Sequence, residues 1–337
     1  MMSEYTVGVI GALGAVGGQM RDILAVSSIN IGEVKMFERP ELEGKTAEFA
    51  GEKIPCEVAT PEALSECDLA TMSAGSDVSK KLAPMAANAG CVVVDNSSQW
   101  RLDPEVPLVV PEVNPEDLDW HEGIVANPNC STIQMVVALK PIHDNYGINR
   151  VVVSTYQAVS GSGSDAIGEL KSQTEDIVNG EEPKAEVYPH QIAFNALPHI
   201  DVFRDNGYTE EEMKMVNETK KIVGEELEVS PTAVRIPVYR SHAESVNVQT
   251  ELSPDVREVR EILADSPGVA VEDDLENNVY PLCTRAEGKD EVFVGRIRKD
   301  PTIENGLNFW VVADNLRKGA ALNTVQIAES MVERGLV

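Results

Sequence analysis

The sequence is poor in basic residues, with 28 Lys and Arg against 56 Asp and Glu, so its formal net charge is -28 at pH 7. Nucleic acids and anionic lipid surfaces bind proteins through clustered positive charge, and a chain with this balance repels both. We therefore exclude nucleic-acid binding and membrane binding. An anionic ligand would need a local group of Arg and Lys side chains against this background.

Long apolar runs and paired cysteines are also missing. No stretch of about 18 apolar residues occurs, and the chain leads almost directly into a strand pattern, so we expect a cytoplasmic protein. The five cysteines are scattered and never spaced as Cys-X-X-Cys, which argues against a disulfide framework and against a metal site. A length of 337 residues suggests roughly two domains.

A glycine-rich turn follows the first strand pattern, Tyr5 to Ile10. Its glycines are Gly11, Gly14 and Gly17, and a helical pattern begins directly after them. In nucleotide-binding folds such glycines let the backbone approach a pyrophosphate at the start of the helix. The GxxGxxG spacing is a weak motif that also fits a structural turn, but its place after the first strand favours dinucleotide binding.

The second strand pattern ends at Glu38 and Arg39, where a Rossmann domain distinguishes a ribose hydroxyl from a 2′-phosphate. Glu38 would bind the hydroxyl and oppose a phosphate, whereas Arg39 could pair with the phosphate. The residues alone leave the choice between NAD and NADP open.

Strand and helix patterns alternate up to Asp95, which is typical of a doubly wound parallel sheet. After the helix that follows Cys130, the pattern changes to longer strands and mixed connections. We therefore predict an α/β protein. Residues 1–129 and 314–337 would form a Rossmann-type dinucleotide-binding domain, residues 130–313 an α+β catalytic domain, and the C-terminal helix would return to the first domain.

Cys130 is the strongest candidate nucleophile. It follows the turn Asn127-Pro128-Asn129 and precedes an apolar helical pattern, so it should lie in the first helical turn. There, free backbone N–H groups and the helix dipole favour a thiolate. A small buried residue at a helix start is the alternative for an isolated cysteine.

Several charged residues are further candidates, each with a plain structural alternative. Arg101 follows a polar strand end and suits a phosphate or carboxylate, although a surface arginine fits equally well. Glu218 and Lys221 lie three apart on one helix face and could simply pair. Arg235 and His242 are seven apart, so an unbroken strand would point them to opposite faces unless Pro237 introduces a bend.

A nucleophilic cysteine together with a dinucleotide site suggests oxidation of an aldehyde through a thioester. The chain also resembles bacterial aspartate-semialdehyde dehydrogenases over essentially its whole length. The resemblance rests on six ordered motifs: Gly11–Gly17, Asn129–Thr132, Thr155–Gly161, Glu218–Lys221, Arg235–Val238 with His242, and Asp314–Ala321.

The resemblance implies reversible, NADP(H)-dependent reductive dephosphorylation of L-aspartyl 4-phosphate to L-aspartate 4-semialdehyde, in lysine, methionine and threonine synthesis. It implies Cys130 as nucleophile, His242 as acid/base and Gln157 as the residue that orients the substrate. Arg235 would bind the α-carboxylate and Glu218 the α-amino group. The implied phosphate ligands are Arg101, Asn129 and Lys221.

The resemblance further implies a homodimer formed through the second domain. The implied cofactor ligands are Gly11, Leu13, Gly14, Ala15, Val16, Ser160, Gly161 and Asn315, and Arg39 joins them as the predicted 2′-phosphate contact. At Glu38-Arg39 the chain departs from similar enzymes, which often carry Arg-Ser there.

Two rival functions differ in testable ways. N-acetyl-γ-glutamyl-phosphate reductase also uses a cysteine after a Rossmann domain, but its motif resembles Asn-Pro-Gly-Cys-Tyr, and Glu218 as an ammonium ligand would reject an acetylated amine. A non-catalytic nucleotide-binding relative is the other rival. The joint presence of Cys130, Gln157 and His242 argues against it.

Overall fold

The computed structural model describes residues 4–337. The chain forms two compact units, one from the described residues up to Pro128 with Ala320–Val337, the other from Asn129–Gly319. Within the described part of the chain, none of the helices combines the length and apolar composition needed to cross a membrane.

The first unit contains a seven-stranded sheet in the order β3-β4-β2-β1-β5-β6-β7, in which only β3 is antiparallel to its neighbour. This is the predicted Rossmann-type arrangement. The strands and helices are β1 Tyr5–Ile10, α1 Ala15–Leu24, β2 Ile31–Glu38, β3 Thr46–Phe49, β4 Glu52–Val58, α2 Pro61–Leu64, β5 Leu69–Met72, α3 Ser76–Asn88, β6 Val92–Asp95 and β7 Ile124–Ala126.

The C-terminal helix, Leu322–Arg334, belongs to this first unit, as predicted. Its apolar residues Val325, Ala328 and Met331 are fully buried in one cluster with Met20 of α1 and Val9 of β1. The helix therefore completes the core of the unit from the far end of the chain.

The second unit is built on a six-stranded mixed sheet in the order β11-β12-β13-β10-β8-β9. Its elements are α4 Cys130–Tyr146, β8 Ile148–Gln157, α5 Ser164–Asn179, α6 Glu210–Val223, β9 Glu228–Arg235, β10 His242–Thr250, α7 Val256–Ala264, β11 Val269–Val271, α8 Cys283–Ala286, β12 Val292–Asp300 and β13 Gly306–Ala313. The α/β fold class predicted from the sequence is confirmed.

Helix α4 is the buried centre of the second unit. It packs against β8, β10, β12 and β13, and α6 packs beside it. Its residues from Ser131 to Leu139 are all buried, which explains why the pattern that follows Cys130 is continuously apolar rather than amphipathic. The sheet thus supports the helix whose first residue is the predicted nucleophile.

The boundaries between the units differ slightly from the prediction, which assigned Asn129 and residues 314–319 to the first domain. Asn129 caps α4. Asp314 pairs with Arg240, and Asn315 bonds to Ser160 and Ser241. These contacts tie both segments to the second unit.

Candidate active site

Cys130 is the first residue of α4, and Asn129 is its N-cap. The Asn129 Oδ1 accepts hydrogen bonds from the backbone N–H of Ser131 at 3.0 Å and of Thr132 at 3.4 Å. Such a cap fixes the first helical turn. The cysteine side chain is half-buried and lies at the positive end of the helix dipole, which favours a negatively charged sulfur.

Three predicted site residues meet at one edge of the sheet of the second unit. Gln157 ends β8, Arg235 ends β9 and His242 begins β10. Gln157 lies opposite Arg235 in the parallel pairing of β8 with β9. The antiparallel pairing of β8 with β10 pairs Tyr156 with Ala243, so Gln157 and His242 are next to each other.

The spacing between Arg235 and His242, ambiguous in the sequence, is resolved by a break in the strand. The chain leaves β9 after Arg235 and enters β10 at His242, with Ser241 in the left-handed region at φ 72°. Because the segment containing Pro237 turns back instead of continuing the strand, both side chains reach the same edge.

His242 is fully buried, and its Nδ1 accepts a hydrogen bond from the backbone N–H of Ala158 at 3.0 Å. Burial, and then the positive charge of Arg235, lower the pKa of His242 well below its usual range, while the Ser241 backbone opposes the shift. The imidazole is therefore neutral near pH 7. Since Nδ1 is an acceptor, the proton is on Nε2, which has no partner within residues 4–337.

The guanidinium of Arg235 also has a nitrogen without a hydrogen-bond partner in the described residues. Arg235 is 4% exposed, and its Nη1 donates to the Ala158 carbonyl at 2.7 Å, while its Nε is buried without a partner in the described chain. A Cβ atom at Gly161 would lie 3.1 Å from Arg235 Nη1 and 3.4 Å from His242 Nε2. A larger residue at this position would press against both polar groups.

Ser160 and Asn315, predicted cofactor ligands, are also joined in the second unit. The Asn315 amide donates to Ser160 Oγ at 3.0 Å and its Oδ1 accepts from Ser241 N–H at 2.9 Å. Gly161 follows Ser160 in a 3₁₀ turn, Val159–Ser162.

Glu218 is almost fully buried on α6, and its Oε2 accepts a hydrogen bond from the Asn129 N–H at 2.6 Å. The carboxylate therefore stabilises the start of α4. Lys221 follows one turn later on α6 and is half-buried. Arg101, the remaining predicted phosphate ligand, is in the first unit, where its guanidinium donates to Asn127 O at 2.9 Å and Asn96 O at 3.0 Å.

Sequence reasoning missed two residues near this edge. Glu211 is buried, and its Oε1 accepts from Asn129 Nδ2 at 3.0 Å and from Gln157 Nε2 at 3.2 Å. Its spacing of seven from Glu218 places both on one face of α6, which is the signal that could have found it. The Tyr188 ring lies 6.0 Å from the Arg235 guanidinium carbon, within cation–π range, and no local pattern indicates this contact.

The first unit contains the other predicted cofactor residues, which are Gly11, Leu13, Gly14, Ala15, Val16 and Arg39. Gly11 has φ 80°, and a Cβ there would lie 2.3 Å from the Ser73 carbonyl oxygen, so only glycine fits. Gly14 precedes α1 without a side-chain cap, and Ala15 and Val16 form its first turn. The open N–H groups at this helix start suit a pyrophosphate.

A cleft of about 650 Å³ adjoins this turn and is lined by Gly11, Leu13, Gly14, Glu38 and Arg39, among others. Glu38 Oε1 accepts from the Leu13 N–H at 2.7 Å, which holds the carboxylate against the glycine turn. Arg39 is exposed at the same edge. The cleft therefore lies beside the glycine turn and presents the two residues that would distinguish the ribose substituents of a dinucleotide.

Comparison with known proteins matches both parts of the chain to domains of one family. Residues 6–121 match the semialdehyde dehydrogenase NAD-binding domain and residues 139–318 the semialdehyde dehydrogenase dimerisation domain. Aspartate-semialdehyde dehydrogenase from Aquifex aeolicus is 55% identical over 99% of both chains. The Bacillus subtilis enzyme of the same name is 49% identical over 98% of both.

Comparison with solved structures indicates the same family. The aspartate semialdehyde dehydrogenase II of Vibrio cholerae, complexed with ASA, superimposes with a TM-score of 0.95 at 46% identity, over 98% of this chain and 99% of that one. A Candida albicans aspartate semialdehyde dehydrogenase with NADP has a TM-score of 0.79 at 25% identity, over 99% and 100%. The family indicated by the six sequence motifs is thereby confirmed: the chain belongs to the bacterial aspartate-semialdehyde dehydrogenases.

Proposed function

We propose that the chain catalyses the reversible conversion of L-aspartyl 4-phosphate and NADPH into L-aspartate 4-semialdehyde, NADP⁺ and phosphate, a step in lysine, methionine and threonine biosynthesis. The observation that carries the proposal is the sheet edge of the second unit. Gln157, Arg235 and His242 meet there, and Gln157 Nε2 donates to Ser131 Oγ at 2.8 Å, which links this edge to the Cys130 turn.

The first step is acyl transfer to Cys130. The sulfur attacks the acyl carbon of the substrate, a C–S bond forms, and the C–O bond to phosphate breaks as phosphate leaves. Asn129, Lys221 and Arg101 are the proposed phosphate ligands. The positive charges of Lys221 and Arg101 would let a strongly acidic chain bind an anionic substrate.

The second step converts the thioester into the aldehyde. NADPH, when bound, supplies the hydride. The His242 Nε2–H donates to the substrate oxygen that becomes negative, and the C–S bond then breaks to return the Cys130 sulfur as a thiolate. Arg235 binds the α-carboxylate through its buried guanidinium, and Glu218 binds the α-ammonium.

The function is tested by phosphate-dependent reduction of NADP⁺ with L-aspartate 4-semialdehyde, compared with N-acetyl-L-glutamate 5-semialdehyde. We expect kcat/KM to be at least about 100-fold higher for the first, because a charged ammonium site discriminates strongly against an acetylated amine. Turnover of the acetylated substrate alone would reject this function.

The cofactor preference depends on the residues after β2. We expect NADP⁺ to be used at least as well as NAD⁺, because Arg39 can pair with the 2′-phosphate while the Glu38 carboxylate is held by Leu13. Replacing Arg39 with alanine should lower kcat/KM for NADP⁺ by about tenfold, as expected for one exposed ion pair with a phosphate, and leave the value for NAD⁺ unchanged. A wild-type enzyme that strongly prefers NAD⁺ would contradict this.

We further propose a cytoplasmic homodimer. The match of residues 139–318 to a dimerisation domain supports the dimer. The described cysteines, including Cys130, are all free thiols, which suits a reducing compartment and the use of a thiolate.

A further inference from the structure

Glu211 is a buried carboxylate near the start of α6, with 6% of its surface exposed. Its Oε1 accepts from Asn129 Nδ2 at 3.0 Å and from Gln157 Nε2 at 3.2 Å. Its Oε2 is 3.3 Å from Lys214 Nζ. One carboxylate oxygen thus contacts amides from two elements, the cap of α4 and the end of β8.

A carboxylate can only accept hydrogen bonds, so both amides must turn their NH₂ groups towards Glu211. The opposite orientation would place two oxygens against each other in a buried site, which is costly. Glu211 therefore fixes which way each amide points.

For Gln157, both N–H bonds of Nε2 are used, one by Glu211 and one by Ser131 Oγ at 2.8 Å. Its remaining polar atom, Oε1, is an acceptor. For Asn129, the same constraint turns Oδ1 towards the N–H groups of Ser131 and Thr132, which is the orientation that caps α4.

A hydrogen-bond acceptor does not bind the phosphate or the carboxylate of the proposed substrate, because the oxygens of both groups are acceptors themselves. The α-ammonium is the strong donor of L-aspartate 4-semialdehyde, so it is the group that Gln157 Oε1 can bind. Glu218 alone does not saturate an ammonium, which has three N–H bonds, and one oxygen of Glu218 is already used by Asn129 N–H.

We propose that Glu211 is a positioning residue: it orients the Gln157 amide so that Oε1 accepts a hydrogen bond from the substrate α-ammonium, and it orients the Asn129 cap that starts the Cys130 helix. The proposal rests on the function proposed above. It goes beyond that function because it assigns a residue without substrate contact to the enzyme's selectivity for an amino group.

The test compares L-aspartate 4-semialdehyde with succinate semialdehyde, which has the same carbon chain without the ammonium. The quantity measured is the ratio of the two kcat/KM values. We expect Glu211→Ala to lower this ratio by about tenfold or more, because the Gln157 amide can then rotate and lose its acceptor. Glu211→Gln keeps an acceptor oxygen at the same place and should stay within about threefold of wild type.

Glu212→Ala is the matched control. Glu212 is the next residue of α6, is 8% exposed, and has a structural role as part of the capping box with Thr209. Its loss should lower the melting temperature and leave the substrate ratio unchanged. An unchanged ratio in Glu211→Ala, with only a lower melting temperature, would overturn the proposal.

A second variant keeps the test decisive if Glu211→Ala does not fold. Gln157→Leu removes the proposed acceptor oxygen without touching α6, and it should lower the same ratio of kcat/KM values by about tenfold or more. An unchanged ratio in Gln157→Leu would reject the proposal. Wild-type turnover of L-aspartate 4-semialdehyde is measured first, so failure of the function itself is seen separately.

Discussion

Replacing Cys130 with alanine is expected to lower kcat/KM for L-aspartate 4-semialdehyde by roughly 10⁴-fold or more, because no other group can form the acyl bond at this place. The cofactor residues around Gly11 belong to a different unit and are unchanged by the substitution. NADPH affinity should therefore stay within about twofold of wild type. Steady-state kinetics and a fluorescence titration with NADPH measure the two quantities.

Cys283→Ala is the matched control, because Cys283 is also a half-buried free thiol of the second unit. It should retain wild-type turnover, and burial raises the pKa of that thiol to about 11, so it is not a nucleophile near neutral pH. Mass spectrometry after incubation with substrate should find the acyl adduct on Cys130. Full activity of Cys130→Ala would show that the nucleophile is elsewhere.

The second large effect is expected at His242. His242→Asn should lower kcat by about 10²–10⁴-fold, because asparagine can still accept from Ala158 N–H but lacks the Nε2–H donor. His242→Gln, whose amide nitrogen reaches about the place of Nε2, should lose less. Equal losses in the two variants would contradict a donor role for Nε2.

The pH dependence follows from the lowered pKa of His242, which is caused first by burial and then by the Arg235 charge. A lowered pKa means that the imidazole stays neutral above its usual value of 6.5 and becomes protonated only below it. Arg235 is the charged group that faces the imidazole. The acid limb that His242 contributes to kcat/KM should therefore lie below pH 6.5, and a limb centred above pH 6.5 that disappears in His242→Asn would be inconsistent with this environment.

The free energy of unfolding should depend on pH in the direction that this lowered pKa sets. His242 is neutral in the folded protein and would gain a proton more readily when unfolded, so its contribution to stability is present above the unfolded pKa and is lost as pH falls through the folded value.

Much of the first unit follows from local sequence pattern. The strand Tyr5–Ile10, the glycine turn and the helix after it occur where the pattern predicts them, because each depends on neighbouring residues. The position of Cys130 at the start of α4 is likewise set by the preceding turn and the apolar run after it. Local rules therefore locate both the dinucleotide turn and the nucleophile.

The geometry of the sheet edge could not be predicted in the same way. Whether Arg235 and His242 share a face depends on how the chain turns back between them, and the pairing of β8 with β9 and β10 decides their neighbours. Glu211 and Tyr188 act through contacts with residues distant in sequence. Such contacts leave no periodic signal in one sequence.

Glu244 is an example of a charged residue whose environment could not be predicted from the sequence. A glutamate in a very acidic chain suggests a solvated surface. Glu244, however, lies two residues after His242 on the same face of β10 and is fully buried. Burial raises its pKa well above the usual range, although the neighbouring Gln134 amide opposes the shift. Only the packing of α4 on the sheet reveals that this carboxyl is buried and that its pKa is raised.

The return of the C-terminal helix to the first unit has a consequence for synthesis on the ribosome. Met331 and its neighbours complete the core around α1 and β1, but they are translated after the whole of Asn129–Gly319. At about 5–20 residues per second, roughly 10–40 s pass while that insert is made. During this interval the nascent dinucleotide-binding unit exposes the apolar surface that the last helix later covers, so chaperone engagement and sensitivity to truncation should concentrate there, while the inserted unit already has its full sequence.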